Sequence, residues 1–256
     1  MRLFSVKIDR MLPFSARFPA VFLALFAAGA LAQPAPALVP FSSASGHEPP
    51  PPWRAIGLPH SLKPLTRFDI TPVEGRPVLR VQTNRSYANL VHELADAMPA
   101  PGTQLRWRWR LEQPLLEADL QRRETDDSPL KLCLLFDMPL ERLDFTDRSL
   151  LQAMRAMTAE KVPSATLCYV WDHRLPVGTL LNNAYTSRLR FLVVDSGEQR
   201  LGQWVSHQRD VAADFQRAFG HESATLVPLV GVTVGADADN TGGQSLGYVG
   251  DVTLGP

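Results

Sequence analysis

The sequence is poor in the residues on which much catalytic and nucleic-acid chemistry is built. It has two cysteines, Cys133 and Cys168, and no Cys-x-x-Cys, which argues against dithiol redox catalysis and a thiolate zinc site. Its six histidines (His47, His60, His92, His173, His207 and His221) include no two at metal-ligand spacing on one helix. No block of Lys and Arg marks a nucleic-acid or anionic-membrane footprint, and the 26 basic residues are balanced by 26 acidic ones. Beyond residue 32 no apolar run is long enough to cross a bilayer. Strands and helices do not alternate along the chain, which removes the α/β folds, and there is no internal repeat.

The one long apolar run, Phe18 to Leu31, follows Arg2, Lys7, Arg10 and Arg17 and closes on the small-x-small triplet Ala30-Leu31-Ala32 before Gln33. Residues 1–32 therefore read as a signal peptide rather than a membrane anchor, since the run is short and prolines follow it. Cleavage would take four of the basic residues and one acidic residue, leaving 22 against 25. A periplasmic or secreted protein is expected, with no membrane span after cleavage and no nucleic-acid partner. Residues 33–52 contain seven prolines and are expected to form a Pro-rich linker with little to pack. A single domain over 53–256 should follow, and 45% hydrophobic composition is ordinary for one.

That domain is organised around Leu105-Arg106-Trp107-Arg108-Trp109-Arg110-Leu111. The period of two places Leu105, Trp107, Trp109 and Leu111 on one strand face, the core side, and three arginines on the other. Adjacent guanidiniums repel unless carboxylates or a ligand answer them. Asp126-Asp127 and Asp237-Ala238-Asp239 are the candidates, with Leu130 to Phe136 the expected neighbour strand. Further short β-like runs are Arg67 to Thr71, Val78 to Thr83, Asn89 to Leu94, Ala165 to Trp171, Arg188 to Val194, Gly202 to Ser206, Leu226 to Val234 and Leu246 to Leu254. Asp147 to Ala159, with Leu150, Leu151, Met154 and Met157, and Asp210 to Phe219, ending at Gly220, carry helical spacing instead. The methionines are expected in the core. The fold class that follows is all-β with minor helix: a jelly-roll-like antiparallel β-sandwich with two short helices. Cys133 and Cys168 lie in strand-like runs, and either one bridge or two buried thiols would suit them.

Two motifs fail on context. Gly243-Gln244-Ser245-Leu246-Gly247 matches a nucleophile elbow, but a turn precedes it, a strand follows it, and no histidine lies C-terminal to Ser245. Asp237-Ala238-Asp239-Asn240-Thr241-Gly242 begins like a calcium loop, yet position twelve is Tyr248 and the flanks are strands, so it is no EF-hand. It reads as an Asx-rich turn or as a polar site at which calcium is a candidate ion.

As an ordered set, Trp107-Arg108-Trp109, Asp126-Asp127, Tyr169-Val170-Trp171, Gly202-Gln203-Trp204, Arg209-Asp210-Val211 with Asp214-Phe215 and Phe219-Gly220, and Asp237-Ala238-Asp239-Asn240-Thr241 resemble the landmarks of a bacterial secreted family. That family, number 3047 of the domains of unknown function, is similar from Trp53 to Leu254 and implies no established activity. The helical insert Asp147 to Ala159 is longer than the family pattern. The expected function is a binding module for a glycan, another polyhydroxylated ligand or an envelope component, and no catalytic residue is assigned. Arg108, Arg110, Asp126, Asp127, Asp237, Asp239 and Asn240 would hydrogen-bond, and Trp171 or Trp204 would stack. The alternatives are a polysaccharide-acting enzyme on the same face, using a carboxylate as acid or base, and a structural envelope protein without a small ligand.

Overall fold

The Trp-Arg stretch forms a ten-residue strand, Gln104–Gln113, and obeys its alternation: Leu105, Trp107, Trp109 and Leu111 are buried, while Arg106, Arg108 and Arg110 are half-buried on the opposite face. The structure is a computed structural model. It describes residues 37–256 apart from 59–61 and 159, and not the side chains of 96 and 97. The expected signal peptide lies outside the described residues. The described residues belong to one compact unit.

In chain order the strands are β1 (Arg54–Ile56), β2 (Arg67–Val73), β3 (Arg76–Asn84), β4 (Tyr87–Ala97), β5 (Gln104–Gln113), β6 (Ser128–Phe136), β7 (Ala165–Asp172), β8 (Leu180–Asn182), β9 (Leu189–Ser196), β10 (Val205–Asp210), β11 (Leu229–Asp237), β12 (Gln244–Val249) and β13 (Thr253–Gly255). Among the described residues two α-helices interrupt them, α1 (Phe145–Met157) and α2 (Val211–Phe219). A seven-stranded sheet runs β1-β4-β11-β6-β7-β9-β8, and a six-stranded sheet runs β10-β5-β12-β3-β2 with β13 also beside β5. The sheets stack as a jelly-roll-like sandwich. All pairings are antiparallel except β7 with β9. The excursion between those two strands carries β8 to the far edge of β9 before the chain re-enters in the direction of β7.

Between the sheets lie Trp109, Tyr169, Trp171, Phe136 and Leu132. Each such side chain contributes roughly 1.5 to 3 kcal/mol on burial. Asp195, on β9, ties the layers together. Its fully buried carboxylate accepts from Trp109 Nε1 at 2.6 Å and contacts His207 Nε2 at 2.7 Å, both on six-stranded-sheet residues, and it also pairs with Arg200. In α2, Asp210 caps the N-terminus by accepting from Ala213 N at 2.9 Å, and Phe215 packs edge-on to Phe136. Gly220 follows as expected; a Cβ there would meet Gln216 O at 2.4 Å.

Several expectations are corrected. Residues 37–52 are no free spacer: Leu38 and Phe41 are buried in the core, Trp53 Nε1 donates to Val39 O at 2.8 Å, and Val39 N donates to His92 Nε2 at 3.2 Å. Two apolar side chains among the prolines suffice to anchor the arm. The run Leu246 to Leu254 is two strands, broken at Gly250. The run Leu130 to Phe136 pairs with β7 and β11 in the opposite sheet from β5; its side chains, buried on both faces, require a central place but suit either sheet. In α1 only Leu151 is buried; Met154 and Met157 are exposed. Cys133 and Cys168 face each other across β6 and β7 and form a disulfide.

Candidate functional site

The seven-stranded sheet turns one face to the core, and over its other face runs a groove of about 540 Å³. Alternation on β11 puts Gly231, Thr233 and Gly235 on that face, with Lys131, Cys133 and Leu135 of β6 on one side and Asn89, Val91 and Glu93 of β4 on the other. The two glycines keep the floor low. A Cβ at Gly235 would stand 2.3 Å from Asn89 Oδ1 and 3.2 Å from Lys131 Cε, and one at Gly231 would stand 3.1 Å from Leu135 Cδ1. Glycine inside a central strand is the expected signature of such close approach. One wall is α1, which lends Leu150 and Met154 to the groove while remaining 47% and 44% exposed there. Ile56, Leu58, Val162 and Leu189 continue the aliphatic lining.

One end of the groove is polar. Lys131, itself buried, pairs with Asp237 at 2.9 Å, and its ammonium lies 5.5 Å from the Tyr87 ring centroid. Asn89 Nδ2 donates to Tyr87 Oη at 3.1 Å. Burial alone would push the Lys131 ammonium down, but Asp237, Tyr87 and Asp126 hold it above its ordinary value. Burial pushes the Tyr87 hydroxyl up, so it remains a donor. Burial, reinforced by Asp237, pushes Asp126 up to about 6 against the pull of Lys131 and Asn183. At the other end Arg54 bridges Glu93 and Glu160, and at the side Arg188 pairs with Asp147 and Glu222.

The expected site residues separate into three places. Asp126, Asp127, Asp237, Asp239 and Asn240 gather behind the polar end. Asp127 accepts from Asn240 N at 3.2 Å and from Thr241 N and Thr241 Oγ1 at 2.6 Å each, thereby pinning the 237–242 loop. Asn240 Nδ2 donates to the carbonyls of Arg123 and Asp126. Arg108 and Arg110 lie on the outer face of the other sheet, with neither group of acids as partner. Arg110 pairs with Glu112 at 2.5 Å and Glu74 at 3.3 Å, and Arg108 lies over the Trp204 ring at 4.5 Å. Trp171 is core, its Nε1 donating to Gly197 O. The expected pairing of Asp126 or Asp127 with those arginines therefore fails, because the β6 strand they introduce belongs to the opposite sheet.

Oxygens of Asp127, Asp237 and Asp239 lie within 4.8 Å of one another and are the candidate cation ligands. Those positions are already answered: Asp237 by Lys131 and Ser128 N, Asp239 by Lys63, and Asp127 by the loop amides. Two ammonium groups stand where a hard cation would want open oxygens, so this donor set does not fit calcium. Ser245 of the rejected elbow is buried, bonded to Thr83 Oγ1 at 2.9 Å and Pro129 O at 3.1 Å.

The model of a family described as a protein of unknown function, DUF3047, matches residues 51–253. The chain belongs to that family. No curated protein matches this DUF3047 chain in sequence. Among solved structures it is similar to the xyloglucanase domain of NopAA, a type three effector from Sinorhizobium fredii in complex with cellobiose, at 10% identity and a TM-score of 0.42, covering 82% of this chain and 99% of that one. It is similar also to endoglucanase 3 of Trichoderma harzianum, from family GH12 (8% identity, TM-score 0.38, 81% and 99% covered). A cyclase from Fischerella sp. TAU in complex with 4-(1H-indol-3-yl)butan-2-one is a third (14%, 0.36, 85% and 94%). At such scores these likenesses say nothing about the site.

Sequence reasoning missed Lys131, Tyr87, Asn89 and the two floor glycines. A signal was present: Lys131 is the lone charge in the strand run Ser128–Phe136, and Gly231 and Gly235 share one face of a strand otherwise rich in valine.

Proposed function

We propose that this DUF3047 protein is a binding module that holds a hydroxyl-bearing ligand with an apolar portion along the groove of the seven-stranded sheet. One observation carries this reading: an aliphatic trough ends on a fixed polar set, Tyr87, Asn89 and Lys131. Of the charged groups that line the groove, Glu93, Lys131, Asp147, Glu160 and Arg188 each have an ion-pair partner. Paired, fixed charges suit recognition better than proton transfer, which supports binding over catalysis. Among carbohydrate ligands the lining favours one bearing an alkyl chain, because Trp171 and Trp204 do not line the groove and its apolar contacts are aliphatic. The disulfide supports an oxidising compartment, in keeping with the periplasmic or secreted address expected from residues 1–32.

The test is calorimetric titration with an alkyl glycoside below its micelle concentration and with the matching free oligosaccharide. The alkyl glycoside should bind more tightly, and Leu150→Glu, at an exposed rim position, should weaken it by about tenfold. Preference for the free oligosaccharide would restore a plain glycan site. Release of cleaved sugar would favour the enzymatic reading, and failure of both ligands would favour an assembly role.

A further inference from the structure

We infer that the outer face of the six-stranded sheet carries a second binding site, for a tetrahedral oxyanion such as a phosphoryl group, in the cavity of about 680 Å³ where β12 gives way to β13. The alternation of β5 aims Arg106, Arg108 and Arg110 outward together. Glu112 and Glu74 answer Arg110. Among the described residues, no carboxylate side chain answers the other two. Arg106 donates to the backbone oxygen of Pro256, the last residue of the sequence, at 2.8 Å and, at 3.5 Å, to the carbonyl of Gly255. Arg108 lies over the Trp204 ring. Arg76, exposed at the start of β3, brings a third guanidinium to the same cavity. The cavity also holds one acid, Asp251, which keeps its charge while accepting from Ser42 N at 2.9 Å and Ser42 Oγ at 2.6 Å, so three guanidiniums stand against one carboxylate.

The break between β12 and β13 makes room for this arrangement. Gly250 sits under the Arg108 side chain, and a Cβ there would meet Arg108 Cγ and Nε at 2.9 Å. Arg108 therefore lies across the gap with its guanidinium carbon 4.5 Å from the Trp204 ring centroid, a contact that removes part of the ordering cost of binding an anion. Ser206 is opposite Arg108 and Gln208 opposite Arg106 on β10, so a hydroxyl and an amide join the same face. Arg106 and Arg108 are two residues apart on one strand, roughly 7 Å, close enough for both forks to reach the oxygens of one anion. Guanidiniums that outnumber the one carboxylate side chain of the cavity, supplemented by neutral donors, constitute an oxyanion site. It is independent of the groove on the other sheet.

Calorimetric titration of the full chain at low ionic strength, with inorganic phosphate and with glycerol 3-phosphate, tests the inference against sodium chloride at matched ionic strength. Saturable binding of phosphate is expected, with chloride inert. Arg76→Gln, at a surface position that leaves the fold alone, and Arg108→Gln should each weaken it by about tenfold, whereas Arg110→Gln, outside the cavity, should leave it unchanged. Tighter binding of the ester would place the phosphoryl group on a larger molecule; equal binding would make the free ion the ligand. The inference is overturned if neither phosphate binds, if chloride competes equally, or if Arg110→Gln weakens binding as much as Arg76→Gln.

Discussion

Replacing Asp126 by Asn should make the protein more stable at neutral pH, although it removes a charge from a site rich in hydrogen bonds. One carboxylate oxygen of Asp126, Oδ1, is buried without a hydrogen-bond partner, while Oδ2 accepts from Asn183 Nδ2. Burial and the neighbouring Asp237 raise its pKa from 3.8 to about 6. A carboxyl raised in the folded state binds its proton more tightly there than in the unfolded chain. Its contribution to stability is therefore complete below about pH 4 and is lost as pH rises through about 6. Two pKa units correspond to about 3 kcal/mol; water still reaches part of this carboxyl, and discounting for that leaves about 1 to 1.5 kcal/mol. Asn mimics the protonated acid: its carbonyl can accept from Asn183, and its amide can donate toward Asp237 or Asp127. In a domain of this size that is a gain of roughly 3 to 5 °C in Tm at about pH 7.5, closing to nothing below about pH 4. Thermal unfolding of both proteins across that range is the assay. An Asn variant less stable than the parent at neutral pH, or a gap that does not vary with pH, would refute the argument.

Lys131→Ala should lower stability by about 3 to 5 kcal/mol in urea unfolding, because Asp237 is left buried without its partner; a loss under about 1 kcal/mol would mean that the pair is solvated. Replacing Cys133 and Cys168 together by Ala opens a bridge between residues 35 apart and should cost about 3 to 4 kcal/mol in the chain-entropy account, measured as the shift in urea midpoint, whereas an unchanged midpoint would show that the bridge contributes nothing. Millimolar calcium should leave Tm within about 1 °C, since Lys131 and Lys63 already neutralise Asp237 and Asp239; a rise of several degrees specific to calcium over magnesium would show that the ion displaces them.

The sandwich was legible because its signals are local. Trp107 and Trp109 alternate with arginines, Asp210 caps α2, and Gly220 closes it, all within a few residues of chain. Strand pairing is not local, and there the reading went astray. Nothing in Leu130 to Phe136 says whether its neighbour is β5 or β7. The run is apolar at nearly every position, which indicates burial on both faces and so a central strand, but not in which sheet. Helix α1 formed where its spacing placed it, but its methionines are not in the core, for a related reason. Its Leu150, Leu151 and Met154 have helical spacing, yet spacing cannot distinguish a helix pressed into a core from one whose apolar side roofs an open groove.

The division of the expected site follows from that single error of pairing. If β6 had paired with β5, Asp126 and Asp127 at its head would have stood over Arg108 and Arg110, and one neutral polar face would have resulted. With β6 in the opposite sheet, Asp126 accepts from Asn183 and Asp127 from the amides of the 237–242 loop, while Asp237 and Asp239 pair with Lys131 and Lys63, one on β6 itself and one on the segment before β2. The arginines are left to Trp204, to backbone carbonyls and, for Arg110 alone, to Glu112 and Glu74. The acidic end of the seven-stranded sheet thus carries two ion pairs beside two further carboxylates, and the outer face of the six-stranded sheet is left with the arginines. A chain with equal numbers of acidic and basic residues overall can therefore present a paired, apolar-walled groove on one sheet and a cationic cavity on the other. Net charge is blind to that difference; strand order decides it.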